Sequence, residues 1–173
     1  MDNSLVQRMI GAARLDVHTY EEIEHDKSAT QQALIVVILA SIAGGIGALN
    51  DGGLGLIGGV VGGIVQWAVL AFVCYFVGTR FLGTETTEAD WGQLARTLGF
   101  AYAPGILNIL GFIPVVGWIV ALIVFFWVIA TTIVAVRQAL DFSTGRAVAT
   151  AIISTIISAI AVAIVYAIFG IGV

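Results

Sequence analysis

Charge is what this chain has least of. Seven basic and eleven acidic residues make up 10 % of its 173 positions, well under the about 25 % of ordinary soluble domains. With 60 % hydrophobic residues and a mean hydropathy of +1.05, it lacks the polar side chains a water-exposed surface needs and is expected in a membrane. The only thiol is Cys74, which rules out an intrachain disulfide and leaves the redox compartment open. Only His18 and His25 carry imidazoles, both ahead of the first long apolar run, so neither haem nor chlorophyll finds a histidine ligand inside a bilayer and no cofactor is expected. A net charge of −4 without a basic cluster argues against a nucleic-acid partner, because phosphate binding needs such a cluster. No Asp, Glu, Lys or Arg lies near the middle of an apolar run, where proton relays and ion sites of transporters usually have one. Intramembrane Ser/His, Asp/Asp or metal pairs are lacking too, which argues against an enzyme.

Long apolar runs are what the chain does have. Four run without interruption, Ala33 to Leu49, Leu54 to Gly78, Val115 to Val136 and Ala147 to Phe169, each near the about 20 residues that cross a bilayer as a helix. A fifth, "LGFAYAPGILNILGFIPVV" from Leu98 to Val116, contains both prolines, Pro104 and Pro114. Each proline removes a helix donor, so this span is expected kinked or interrupted. The fold class is therefore all-α, a polytopic membrane helix bundle of five spans with the third broken by prolines, plus short interfacial helices. Residues 1–32 form a cytoplasmic juxtamembrane segment without the apolar core of a signal peptide, and residues 33–173 the five-span membrane domain.

Basic residues set the orientation, since Lys and Arg crowd cytoplasmic loops. Arg8, Arg14 and Lys27 precede the first span, Arg80 and Arg96 separate the second from the third, and Arg137 and Arg146 separate the fourth from the fifth. With five spans all seven fall on one side, placing the N-terminus in the cytoplasm and the C-terminus outside.

Three segments carry helix signals at the inner surface. In "SLVQRMIGAARL", Leu5, Met9, Ala12 and Ala13 share a face away from Gln7 and Arg8, which suits an interfacial amphipathic helix. In "TTEADWGQLARTLGFAYAP", Thr87 is the expected N-cap with Asp90 at the third helical position, and Trp91, Leu94, Leu98 and Tyr102 recur at helical spacing. Ser143 or Thr144 caps the last span. His18, Glu22 and His25 stand at i, i+4 and i+7; this is a possible metal face, though with no further histidine the expectation is a solvated acidic helix and no metal.

The stretch "GGIGALNDGGLGLIGGVVGG" contains "GLGLIG", a match to the dinucleotide fingerprint G-x-G-x-x-G. The fingerprint also needs a preceding strand and an acid about 20 residues on, and the first acid after Gly58 is Glu85. Helix packing is the better reading. Gly55, Gly59, Gly62 and Gln66 lie within about 60° of one another on a helix, and Ala40, Gly44 and Ala48 form a matching stripe on the first span. Small stripes let backbones approach closely in lipid, so a close crossing of spans one and two is expected, with Gln66 bonding across helices and "NDGG" as the turn. Asn108 is a possible polar-path residue in the broken span; Thr131, Thr132, Ser154, Thr155 and Ser158 are milder polar groups more often found bonding neighbouring helices. Trp91 and Trp118 suit the interfacial belts, and Trp67 and Trp127 suit packing.

Three segments together, "RLDVHTYEEIEHDKSATQQAL", "DWGQLARTLGFAYAPGIL" and "ALDFSTGRAVAT", resemble the Yip family of small five-span membrane proteins across nearly the whole chain. The resemblance implies trafficking or membrane-shaping roles and no catalytic residues. Eukaryotic members bind Rab-type GTPases through a longer cytosolic N-terminal region. The short segment here argues against GTPase binding and fits the short prokaryotic type in a cell membrane. The function expected is non-enzymatic association, with itself as a homo-oligomer, with other membrane proteins, or by shaping the lipid bilayer. The alternative is a conduit for lipid or a small uncharged solute.

Overall fold

The structure is a computed structural model that describes residues 4–48, 55–84, 87 and 89–169. Its elements are helical: α1 (Leu5–Ala13), α2 (Val17–His25), α3 (Ala29–Gly47), α4 (Gly55–Arg80), α5 (Trp91–Ala101), a 3-10 helix η1 (Ala103–Phe112), α6 (Val116–Ala139) and α7 (Thr144–Phe169). The four uninterrupted apolar runs became α3, α4, α6 and α7, the four helices long and apolar enough to cross a membrane. Their 19 to 26 residues extend about 28–39 Å at 1.5 Å per residue, against about 30 Å of hydrocarbon. The fifth run did not become a fifth long helix. It holds the end of α5, then η1 with Pro104 in its first turn, where Gly105 N donates to Tyr102 O three residues back at 2.8 Å. Pro114 then opens a γ-turn, with Val116 N donating to Pro114 O at 2.8 Å and Val115 at φ 69°, a strained conformation for a β-branched residue.

Helix starts follow local chemistry. Ser4 caps α1 through Gln7 N at 3.3 Å, and Asp16 caps α2 through His18 N at 3.2 Å. The cap of α5 is Asp90, not Thr87: Asp90 accepts from Gln93 N at 2.8 Å while Asp90 N donates to the Gln93 side chain at 2.7 Å. A capping box requires the partner three residues on, and Gln93 supplies it for Asp90; the Thr87 hydroxyl lies 2.9 Å from that of Thr84 instead. The expected face of α1 also needs correction. Arg8 is 2 % exposed beside Ala12, while Val6 and Ile10 point outward. Glu22 at 2.9 Å, Asp26 at 2.6 Å and Gln32 at 3.0 Å receive the guanidinium, so burial leaves it paired.

Packing neighbours run in a ring, α3 with α4, α4 with α7, α7 with α6, α6 with η1, and η1 with α3. At one end of the ring sits a cap of α1, α2 and α5. Arg96 of α5 donates to the Ile23 and Glu24 carbonyls at the end of α2, and Gln138 of α6 donates to Glu21 at 3.2 Å. Trp67 of α4 and Trp127 of α6 donate their indole N–H to Ala95 O at 2.9 Å and Ala13 O at 2.7 Å. The largest fully buried side chains, Tyr20, Phe100, Ile23, Leu94, Leu98 and Leu140, gather here. At the opposite end Gly47, Gly111 and Gly117 pack backbone to backbone: a Cβ on Gly111 would lie 2.9 Å from Gly47 Cα. Outside the ring, Ile153, Ile157, Ile160, Ile164 and Ile168 of α7 stand exposed at helical spacing, a surface suited to lipid.

Candidate functional site

The ring surrounds a cavity of about 1410 Å³ that is open on the side where Trp118, Phe125, Ile152 and Ile156 of its lining are exposed. α3 contributes Val37 to Ala48, α4 Gly59 to Leu70, α6 Gly117 to Ile133 and α7 Ala151 to Ile156, and the stretch from Tyr102 to Val115 closes the wall. Along α6 the lining covers 16 residue steps, about 24 Å at 1.5 Å each, most of the hydrocarbon thickness. Among the described residues no Asp, Glu, Lys, Arg or His lines it.

Six of the residues marked by the sequence meet here: Ala40, Gly44, Ala48, Gly59, Gln66 and Asn108. The role assigned to the glycines changes. A Cβ built on Gly44 or Gly59 would meet nothing within 4 Å, so these two face open space and not a close helix crossing. Close approach between α3 and α4 falls one position along, where a Cβ on Gly63 would lie 2.9 Å from Ser41 Cβ, and Gly62 faces the Tyr166 hydroxyl on α7. Periodicity identifies which residues share a face; whether that face meets a helix or a void depends on tertiary spacing. Gln66 does bond across helices, but to Ser158 of α7 at 3.2 Å. Gly55 begins α4, and the expected "NDGG" turn lies outside the described residues. The last four residues of "GLGLIG" belong to α4, a continuous helix where the fingerprint needs a phosphate loop.

Polar groups on the wall divide into two kinds. Ser41 donates to Val37 O at 2.7 Å, and Gln66 is held by Ser158. Thr132, only 7 % exposed, and half-buried Asn108 line the cavity with side chains that bond to no other described residue. Thr131 next door donates to Ala101 O at 2.8 Å, so of these two threonines Thr132 alone has a hydroxyl without a described partner; on α7, Ser154 Oγ is likewise buried without one among the described residues. Sequence reasoning ranked the two threonines alike because hydropathy does not separate them.

A second, polar crevice of about 640 Å³ lies over the cap, lined by His18, Glu21, Glu22, Glu24, His25, Gln93 and Asp141. The His18, Glu22, His25 face does not assemble into a ligand set: Glu22 is taken by Arg8, His25 Nδ1 lies 2.8 Å from Glu21 O, and no group of three among the described residues is placed to hold a metal. Glu24 is 6 % exposed, and its carboxylate accepts from Gln93 at 3.1 Å. Burial, with the Asp141 carboxylate adding to it, pushes Glu24 from its usual 4.5 up to about 7.

No curated protein and no solved structure matches this chain. The Yip1 domain matches residues 17–167, from the first turn of α2 to the last turn of α7, and so takes in every wall of the cavity and part of the cap. With that match and four helices able to cross a bilayer, the chain is a membrane protein and belongs to the Yip1 domain family.

Proposed function

We propose that this protein is a non-catalytic membrane protein that takes an apolar or uncharged membrane component into its central cavity and holds it or passes it between leaflets. The cavity carries this reading: about 1410 Å³ with no charged side chain among the described residues of its wall, larger than the about 300–1,000 Å³ of ordinary ligand pockets and apolar as those pockets are. It takes precedence over the expectation that the glycines serve helix packing, because Gly44 and Gly59 leave backbone bare toward open space. The supporting experiment is lipid exchange between leaflets in liposomes containing the purified protein. Transport that Gly59→Leu diminishes, without proton flux or ion current, is expected; a protein inert toward lipids at all doses would refute conduction.

The bundle is proposed to cross the membrane five times, with the N-terminal residues 1–32 on the cytoplasmic side of a prokaryotic cell membrane and the C-terminus outside. Contacts support the count. Gly78 near the end of α4 faces Leu140 just past α6, so both helices finish at the cap end, yet α6 starts beside Gly111 and Gly47 at the far end. The chain therefore travels the length of the bundle between α5 and α6. The 11 residues of α5 and 10 of η1 reach about 36 Å at 1.5 and 2.0 Å per residue, enough for a crossing.

The second reading is association with another copy or another membrane protein, favoured by the same bare glycine backbone, which a neighbouring helix can approach closely. Crosslinking in native membranes separates the two: oligomers or a captured membrane protein lost in Gly44→Leu support association through the cavity.

A further inference from the structure

We infer that the cavity is a binding site for a neutral lipid, a long hydrocarbon chain carrying hydroxyl or ester oxygens and no charge. The inference rests on the reading that a membrane component occupies the cavity, and it names the chemistry of that component from three observations.

Charge is the first. Among the described residues the wall holds no Asp, Glu, Lys, Arg or His, so a phosphate or ammonium group drawn between them would lose its hydration and meet no counter-charge from them. Shape is the second. The lining along α6 is about 24 Å long, and its walls belong to five elements packed in a ring. A flexible hydrocarbon chain can follow that length and enter on the side where Trp118, Phe125, Ile152 and Ile156 of the lining are exposed. The unpaired polar groups are the third. The hydroxyl of Thr132, on a residue 7 % exposed, and the carboxamide of Asn108 bond to no other described residue, so both are free to bond a ligand in the cavity. Both are neutral, so both suit a hydroxyl or carbonyl oxygen. Their placement is telling. Asn108 packs against Gly47 at the far end, and Thr132 lies five residues from Arg137 toward the cap end. An oxygenated lipid end can thus be held near either end of the cavity, as a molecule exchanging between leaflets requires.

The test uses full-length protein in nanodiscs with two chain-labelled photoactivatable probes, diacylglycerol and phosphatidylglycerol, and mass spectrometry of the labelled peptides. Diacylglycerol should label the stretches 59–70 and 117–133 and be displaced by unlabelled diacylglycerol. Thr132→Val should weaken that displacement by about 2- to 10-fold, the loss of one hydrogen bond, while Thr132→Ser restores it; gel-filtration profiles matching the unmodified protein show that the variants fold. Equal labelling of the cavity by phosphatidylglycerol, or a Thr132→Val variant that binds unchanged, overturns the neutral-lipid assignment and leaves an occupied cavity. Absence of any probe from the cavity overturns both that assignment and the reading beneath it.

Discussion

Replacing glycine by alanine at three helical sites separates a void from a contact. Alanine is favoured over glycine in a helix interior by about 1 kcal/mol. At Gly44 and Gly59 the added methyl meets nothing within 4 Å, so each change should stabilise by up to about 1 kcal/mol. At Gly99 the same methyl would lie 2.7 Å from Ala33 Cβ and 3.1 Å from both Ala33 Cα and O. Backbone cannot swing aside, and overpacking costs about 1–3 kcal/mol, leaving a net loss of up to about 2 kcal/mol once propensity is credited. For a chain of this length, 1 kcal/mol moves the unfolding midpoint by about 2–4 °C. Gly44→Ala and Gly59→Ala should therefore rise by about 2–4 °C, and Gly99→Ala should fall by a similar or larger amount. Cys74, fully buried and the only thiol, is the reporter: a thiol-reactive fluorophore in detergent brightens when heat exposes it, and the ranking of apparent midpoints suffices where unfolding is not two-state. Losses at Gly44 and Gly59 as deep as that at Gly99 would refute the open cavity. Gain at Gly99 would refute the α3–α5 contact.

Three more predictions follow from the cap and the crossing. Glu24 titrates near 7 in place; a carboxylate with a raised folded-state value stabilises docking below its usual 4.5 and loses that contribution as pH rises through about 7. Amide protection factors across residues 17–25, with the intrinsic base-catalysed rate divided out, should fall between pH 5 and 8 and fall less in Glu24→Gln; protection factors that stay level in the unmodified protein would contradict this. Asp26 works in the opposite sense: the Ser28 hydroxyl and then Arg8 hold it down to about 2, so its contribution is full above 4 and lost only as pH falls through about 2, outside the Glu24 window. Arg96 is 5 % exposed and caps α2 through two carbonyls, so Arg96→Met should cost about 2–4 kcal/mol in cap docking and open the α2–α3 link to limited proteolysis; unchanged cleavage counts against that role. In a Cys74→Ser background, cysteines at Thr84 and Val115 should react with impermeant thiol reagent from opposite faces, because one crossing separates them; labelling from one face alone would rule out the fifth crossing.

Hydropathy made the four long helices legible, since lipid demands about 20 apolar residues of any helix that crosses it. The same logic reaches its limit at Leu98 to Val116, where two prolines allow several interrupted backbones and the 3-10 geometry of η1 depends on its fit between α3 and α6. Of the cavity, sequence periodicity found several wall residues, and at Gly44 and Gly59 it expected a helix crossing where an added Cβ meets open space. Gly44 and Gly59 lie on the faces expected of them, but the distance from those faces to the next helix is set by Gly47, Gly111 and Gly117 at one end and by the cap at the other. Arg8 was misplaced because its acceptors, Glu22, Asp26 and Gln32, stand 14 to 24 positions away, beyond the reach of a helical wheel. Thr132 gave no local signal; its unpaired hydroxyl is visible only in three dimensions.

The cap has a consequence for how the protein is made. Ala13 is held by Trp127, 114 positions later, and Glu21 by Gln138, 117 positions later. At about 5–20 residues per second of synthesis, the first two helices emerge about 6–23 s before the residues that fasten them exist. During that interval Val6 and Ile10, exposed even in the finished fold, and Ala12 and Ile23, buried only later, are all uncovered on the nascent chain. A helix with such a face adsorbs to the bilayer surface, so the membrane itself is expected to shelter the N-terminal segment until α6 arrives, and closure of the cap marks the completion of insertion.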